Sequence, residues 1–316
     1  MPNVIPPVSR DILESELTPE KFVRKTNNGN NHIYIFDHKD SPNLMREIGR
    51  LREITFRDSG GGTGLDIDVD EFDLGEKPFH QLIVWNPEEK EIVGGYRFAQ
   101  GDQLRIDEQG RVHSPTAELF TFSDKFNKEY LPKSIELGRS FVQPNYQPQF
   151  NLRKGMYSLD NIWDGLGAIV IDNPGYKYFF GKLTMYPHYD YFARDLVLYF
   201  FEKFFPDHEN LLIPIEPLQL RHDKKYLDSL FTGTTYEENY KILVHLVRAQ
   251  NETVPPLVNA YMSLSSTMKT FGTSINKGFG DVEETGILIT IQDIYNFKID
   301  RHIATYKNNH SFGKPD

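Results

Sequence analysis

The chain has 316 residues, 39% hydrophobic and 25% charged, enough apolar matter for one large core or two small ones and too little polarity for global disorder. It has no cysteine, which excludes disulfides, thiolate metal sites and a cysteine nucleophile, and its formal net charge of −10 disfavours nucleic acid as the main ligand. No apolar run approaches the roughly 18 residues of a membrane span, and Met1–Pro7 lacks the basic and apolar regions of a signal peptide, so a cytoplasmic protein with at most peripheral membrane contact is expected.

Residues 1–40 read as a polar arm with a short helix near Arg10–Leu17 and a first strand, His32–Asp37, alternating with period two. Ser41-Pro42 reads as an N-cap and first helical residue, and Leu44, Ile48, Leu51 and Thr55 share one face of the helix that follows. Gly60–Gly64 reads as a flexible loop or hinge. It lacks the Lys-Ser/Thr of a phosphate-binding loop. Phe79–Trp85 and Glu91–Phe98 are strands joined as a hairpin through Asn86–Lys90, and Ser134–Val142 is a further strand. A helix carries Leu159, Ile162, Trp163, Leu166, Ile169 and Val170 at helical spacing and ends at Asn173-Pro174-Gly175. Tyr176–Met185 is a strand and Asp190–Phe205 an amphipathic helix. The strand–helix–strand step predicts that 134–142 and 176–185 lie parallel and adjacent. Residues 41–206 thus form the expected core. Residues 207–316, with helices at Tyr236–Ala249 and Leu257–Leu264 and a strand at Gly286–Ile291, form an extension packed on it.

Charges interrupt the apolar strands. Glu136 and Arg139 lie within Ser134–Val142, Arg97 lies between Tyr96 and Phe98, Asp70 and Asp73 bracket Phe72, and Arg52 precedes Phe56. Buried charge costs several kcal/mol per ion, on the order of the usual estimates, unless paired, so these groups are expected to serve a site. Residues three apart on a regular strand face opposite sides, so Glu136 and Arg139 can meet only across a bulge, which Gly138 would permit.

This ordered set resembles the charged residues of the acyl-homoserine lactone synthases. The fuller resemblance is to the ornithine- and glycine-lipid N-acyltransferases, often labelled hemolysin, which are related to the long-chain N-acyl amino acid synthases. It continues in Ile162–Gly167, Tyr176–Gly181, Val254–Leu264 and Phe279-Gly280-Asp281, so it covers roughly residues 44–305. It implies a mixed α/β GNAT acyl-CoA N-acyltransferase-like fold, with a central mixed sheet flanked by helices and 41–206 as catalytic core. The implied reaction moves a long-chain, 3-hydroxylated acyl group from acyl carrier protein to the amine of an amino acid such as glycine or ornithine. A partner O-acyltransferase would then add a second chain. No cofactor is expected to be tightly bound. The donor is an acyl-phosphopantetheine thioester on acyl carrier protein, rather than on coenzyme A, because the stretch Asn151–Tyr157 that would cradle its phosphate through Arg153, Lys154 and Gly155 has a single glycine.

In this reading Glu136 is the base, and Arg97 and Arg139 hold the acceptor's carboxylate. Asp70 and Asp73 orient these arginines, Arg52 and Phe56 bind or orient substrate, and backbone N–H groups near Ser140, Phe141 and Val142 polarise the thioester carbonyl. Arg221–Lys225, with Arg153, Lys154, Lys177 and Lys182, would dock the acidic carrier. The competing expectations are an acetyl-CoA-dependent N-acetyltransferase of small amines, a non-catalytic acyl- or carrier-binding protein, and an ion network that shapes the site without touching substrate. No metal is expected. Asp66, Asp68 and Asp70 have Glu71 and Lys77 where a calcium loop needs Gly and Glu, and His188-Tyr189-Asp190 finds no third ligand. His32 and Asp37 match the H-x4-D of glycerolipid acyltransferases but sit in an alternating strand.

Overall fold

A computed structural model describes residues 1–306. Its centre is an eight-stranded sheet built from β1 (Phe22–Lys25), β2 (His32–Phe36), β3 (His80–Asn86), β4 (Glu91–Gln100), β5 (Ser134–Val142), β6 (Tyr178–Met185), β7 (Lys269–Asn276) and β8 (Val282–Thr290). The strands stand in the order β1-β2-β3-β4-β5-β6-β8-β7, and every neighbouring pair is antiparallel except β5 and β6. The expected parallel pair is present, but its ladder is short. Ser134 to Leu137 pair with Tyr178 to Gly181, and beyond that point the strands part. A Cβ on Gly181 would lie 2.3 Å from the Leu137 carbonyl oxygen, so only glycine allows β5 and β6 to touch where they separate.

Helices cover both faces. α1 (Pro42–Asp58) packs Leu44, Ile48 and Leu51 against Ile83, Trp85 and Ile92 on one face. On the other, α2 (Ser158–Asp172) lays Ile162 and Leu166 over β3 and β4, and α3 (Tyr191–Phe204) packs on β7 and adds Leu196 and Phe200 to the same core as Leu82, Val84, Ile135 and Leu137. The alternation of Leu82, Ile83, Val84 and Trp85 to opposite helical layers is the period-two pattern of a strand buried on both faces. Phe200, Phe201 and Phe205 are all buried, so α3 spends its aromatic pairs on the core.

Three local expectations differ. Ser41 does not cap α1 with its side chain. It lies with Lys21 and Asp40, while the Glu16 carboxylate accepts from the Asn43 and Leu44 N–H groups at 3.1 and 2.8 Å. The cap therefore comes from a preceding helix, invisible to a local motif. Gly60–Gly64 is not a free hinge: the buried Glu53 carboxylate accepts from the N–H groups of Thr63 and Gly64 and from the Thr63 hydroxyl at 2.7–3.0 Å. The third difference is in the C-terminal extension, which adds two strands to the sheet itself. β8 pairs with β6 along eight residues, and β7, unforeseen in the sequence, closes the edge.

Candidate functional site

A cavity of about 420 Å3 passes through the sheet where β5 and β6 part. On the α1 side it is lined by Thr55, Phe56, Arg97, Glu136, Arg139, Lys182 and Glu284, and on the α2 side by Leu137, Leu159, Phe179, Leu257 and Tyr261. One end is thus charged and the other mostly apolar. From Gly138 onward the edge of β5 facing β6 has no ladder partner, which leaves backbone polar groups available to a ligand.

The bulge exists, and it changes which way side chains face. Gly95 and Arg97 on β4 pair with Phe141 and Gly138, so Arg139 and Ser140 together oppose Tyr96. The left-handed residue is Arg139 itself, with φ +49°, rather than Gly138. The extra residue puts Arg139 on the face of Glu136 and Arg97, where it stacks 4.1 Å over the Phe279 ring. It does not pair with Glu136. Its Nε donates to Asp68 Oδ2 at 2.9 Å, and its terminal nitrogen lies 3.5 Å from Asp70.

That contact belongs to a larger network. Arg52 from α1 donates to Asp73 at 2.9 Å and to Gln81 at 2.6 Å, and Arg97 donates to Asp70 at 2.7 Å and Asp73 at 3.2 Å. Asp70 and Asp73 form a capping box on the one-turn helix Glu71–Leu74, and this local motif sets the carboxylates in register with the arginines. Burial would raise the Asp73 carboxyl, but Arg52 and Arg97 more than offset it and hold the group far below the usual range. Burial alone would also lower Arg97, but Asp73 and Asp70 fix its charge. Arg97 lines the cavity; its Nη1 is committed to these aspartates, while its Nε is buried with no hydrogen-bond partner among the described residues. Arg52, Asp70 and Asp73 stand behind it.

Glu136 is held differently. It is 1% exposed; one oxygen accepts from the Thr116 N–H at 3.0 Å and the other has no hydrogen-bond partner among the described residues. Burial pushes its carboxyl up, with Thr116 and Lys182 opposing only in part. Lys182, expected at a surface, turns into the cavity, donating to the Pro115 carbonyl at 2.7 Å and pairing with Glu284 at 2.9 Å. Burial would raise Glu284, but Lys182 outweighs it and draws the group down. Among the remaining expected residues, Phe56 packs edge-on against Phe279, and Ser140, Phe141 and Val142 line the cavity. Of the three residues assigned to the donor phosphate only Gly155 lines it; Lys154 pairs with Glu89 at 2.8 Å and Arg153 is exposed. In the basic cluster, Arg221 stacks on Tyr191, His222 pairs with Asp195, and Asp223 caps the helix Lys224–Leu230.

Sequence reasoning missed Glu284, the paired role of Asp68, and the inward turn of Lys182. The signal that found Glu136, a charge inside an apolar strand, applies equally to Lys182 in Tyr178–Met185. Glu284 was hidden because β8 begins four residues before the apolar run that marked it.

A family model described as an acetyltransferase (GNAT) domain matches residues 51–154. Two similar proteins are the glycine N(alpha)-acyltransferases of Phocaeicola vulgatus and Bacteroides thetaiotaomicron. They are 53% and 54% identical over 310 residues, which is 98% of this chain and 95% and 92% of theirs. Among solved structures, the CoA-dependent acyl-homoserine lactone synthase BjaI matches 88% of this chain and 90% of its own at 9% identity and TM-score 0.38. The acyl-homoserine lactone synthase LasI matches 49% and 73% at 14% identity and TM-score 0.31. With more than half of its residues shared over nearly its whole length, and a charged cavity at the parting of two parallel strands, the chain is a GNAT-fold N-acyltransferase and belongs to the glycine N(alpha)-acyltransferase family.

Proposed function

We propose that this chain transfers a long-chain, 3-hydroxylated acyl group from acyl carrier protein to the amine of glycine, forming an N-acyl glycine for aminolipid synthesis. The observation that carries this reading is the through-sheet cavity, with an under-bonded buried carboxylate at its charged end and an apolar arm beyond the bulge. The names of the similar proteins favour glycine over ornithine.

Glycine arrives as a zwitterion, and its nitrogen can attack only after losing a proton. Glu136, whose proton affinity burial has raised, accepts that proton on its free oxygen. The nitrogen lone pair then forms a bond to the thioester carbonyl carbon, the carbonyl oxygen takes negative charge, and unpaired N–H groups along Gly138–Val142 stabilise it. Collapse breaks the C–S bond. The thiolate leaves with the second proton shed by the nitrogen, which became cationic on attack, and the amide keeps the third. Arg139, held over Phe279 at the cavity wall, receives the glycine carboxylate.

Two features support a carrier-protein donor with a long chain. The N–H groups of Lys154 and Gly155 are already satisfied by Asn151, so the stretch has few donors to offer a pyrophosphate. In the apolar arm the Tyr96 and Tyr261 hydroxyls lie 3.4 Å apart, a spacing at which a hydroxyl on the acyl chain finds a partner. The test is mass spectrometry of products from purified protein given glycine with 3-hydroxyacyl carrier protein, long-chain acyl-CoA or acetyl-CoA. N-acyl glycine formed fastest from the acyl carrier is expected. Faster transfer from acetyl-CoA would overturn the reading.

A further inference from the structure

The buried charges near the cavity divide into two sets by count. Arg52, Arg97 and Arg139 face Asp68, Asp70 and Asp73, three against three. Glu136 and Glu284 share Lys182, on the intervening strand of the same sheet face, while Arg139, already counted against Asp68, adds to the positive field at Glu284. This second set lacks one cation. It also lacks hydrogen bonds. Glu284 Oε2 takes Lys182 at 2.9 Å and Asn276 at 3.1 Å, but Oε1 has only the Thr184 hydroxyl at a long 3.4 Å. Glu136 lines the same cavity, with its free oxygen buried. Two carboxylate oxygens in want of donors, in a pocket short of one positive charge, match a primary ammonium with its three N–H groups.

We propose that Glu284 is the receptor for the acceptor's ammonium group, docking the charged amine before Glu136 removes its proton. The inference deepens the proposed acceptor site and rests on that reading. The two carboxylates divide the work. Glu284, kept ionised by Lys182, binds the cationic form and cannot serve as base, while Glu136, less acidic in its buried position, takes the proton. Arg139 addresses the opposite end of the zwitterion, so the two ends of glycine are read by different residues.

The experiment is steady-state kinetics of Glu284→Gln with glycine and with glycinamide, which keeps the amine and loses the carboxylate. Loss of one charge-assisted hydrogen bond predicts that KM for both acceptors rises about tenfold or more, with kcat changed less and the donor KM unmoved. Glu284→Asp, which keeps the buried charge and so the fold, is expected to give an intermediate acceptor KM. Should a folded Glu284→Gln protein keep the wild-type KM for both acceptors, or lose donor and acceptor affinity alike, the inference is overturned while glycine acylation stands. Wild-type protein that acylates no glycine sinks the parent reading instead. The same comparison is then made with the amine it does acylate, since an ammonium dock is indifferent to what the amine carries.

Discussion

Two clusters of buried charge lie side by side on one face of the sheet and obey different rules. In the arginine–aspartate network every carboxylate is bonded to a guanidinium, and Asp70 and Asp73 are fixed further by their own capping box. In the Glu136–Lys182–Glu284 cluster one carboxylate oxygen has no partner among the described residues, another has a poor one, and both residues line the cavity. A buried ion network whose carboxylates are all paired holds geometry, even where the Nε groups of Arg52 and Arg97 have no partner among the described residues. An unsatisfied one at a cavity wall stores binding and proton affinity for a ligand. On the proposed reaction, Arg52 and Arg97 hold the site in place, Arg139 joins the network to the cavity, and the glutamates do the proton and ammonium work.

The largest effect should come from breaking the satisfied network. Asp73→Ala leaves Arg52 and part of Arg97 buried without their counter-ion, and removing one member of a buried pair costs about 3–5 kcal/mol. Thermal and urea unfolding should show that loss, with activity falling because the fold does. The sign with pH follows from the depressed Asp73 carboxyl. Its stabilisation is present above the unfolded value of about 4 and is lost as pH falls toward the folded one, so the mutant's deficit should shrink in strong acid.

Glu136→Gln should do the reverse. Removal of a general base lowers kcat on the order of 10²–10⁴-fold. Stability should hold or rise at neutral pH, because a carboxyl whose folded pKa is raised opposes folding once pH exceeds its unfolded value. In the wild type the acid limb of kcat/KM should lie above the ordinary glutamate range, and the mutant's residual rate should lose that limb. A mutant that is both slow and unstable would erase the distinction between the clusters.

Arg139→Gln sharpens the boundary, since Arg139 belongs to the network and also lines the cavity. It should raise the glycine KM about tenfold and leave glycinamide unaffected, while unpairing Asp68 costs some stability as well. Equal losses for both acceptors would assign Arg139 to the network alone.

Much of this was legible in the chain. The hairpin, Ser134–Val142, the two central helices and the parallel step follow from period and turn residues. Glu136, Arg97 and Arg139 announced themselves as charges within apolar strands. What escaped needed three-dimensional pairing. Asp68 reads as one acid among several until Arg139 is turned by the bulge, and the cap of α1 by Glu16 spans 26 residues or more. β7 and the early start of β8 escaped because Thr270, Thr273, Ser274, Glu283 and Glu284 are polar yet buried, so neither segment alternates. Lys182 looked like surface because a lysine in a strand normally reaches water; here Glu284, one strand over, keeps it inside.

The smallest effect tests whether the division reaches beyond the site. Asp190 caps α3, its carboxylate accepting from the Phe192 and Ala193 N–H groups at 2.9 Å each. That satisfied contact lies on the helical side of the sheet and lines no part of the cavity. Asp190→Ala should cost about 1 kcal/mol, the usual worth of an N-cap, and lower Tm by about 2 °C in a domain of this size. Glycine KM, donor KM and kcat should stay within twofold of wild type. If the kinetics shifted with so small a loss of stability, the cavity would depend on the seating of α3. The contrast between structural and chemical charge would then have to include the helix that packs on β7.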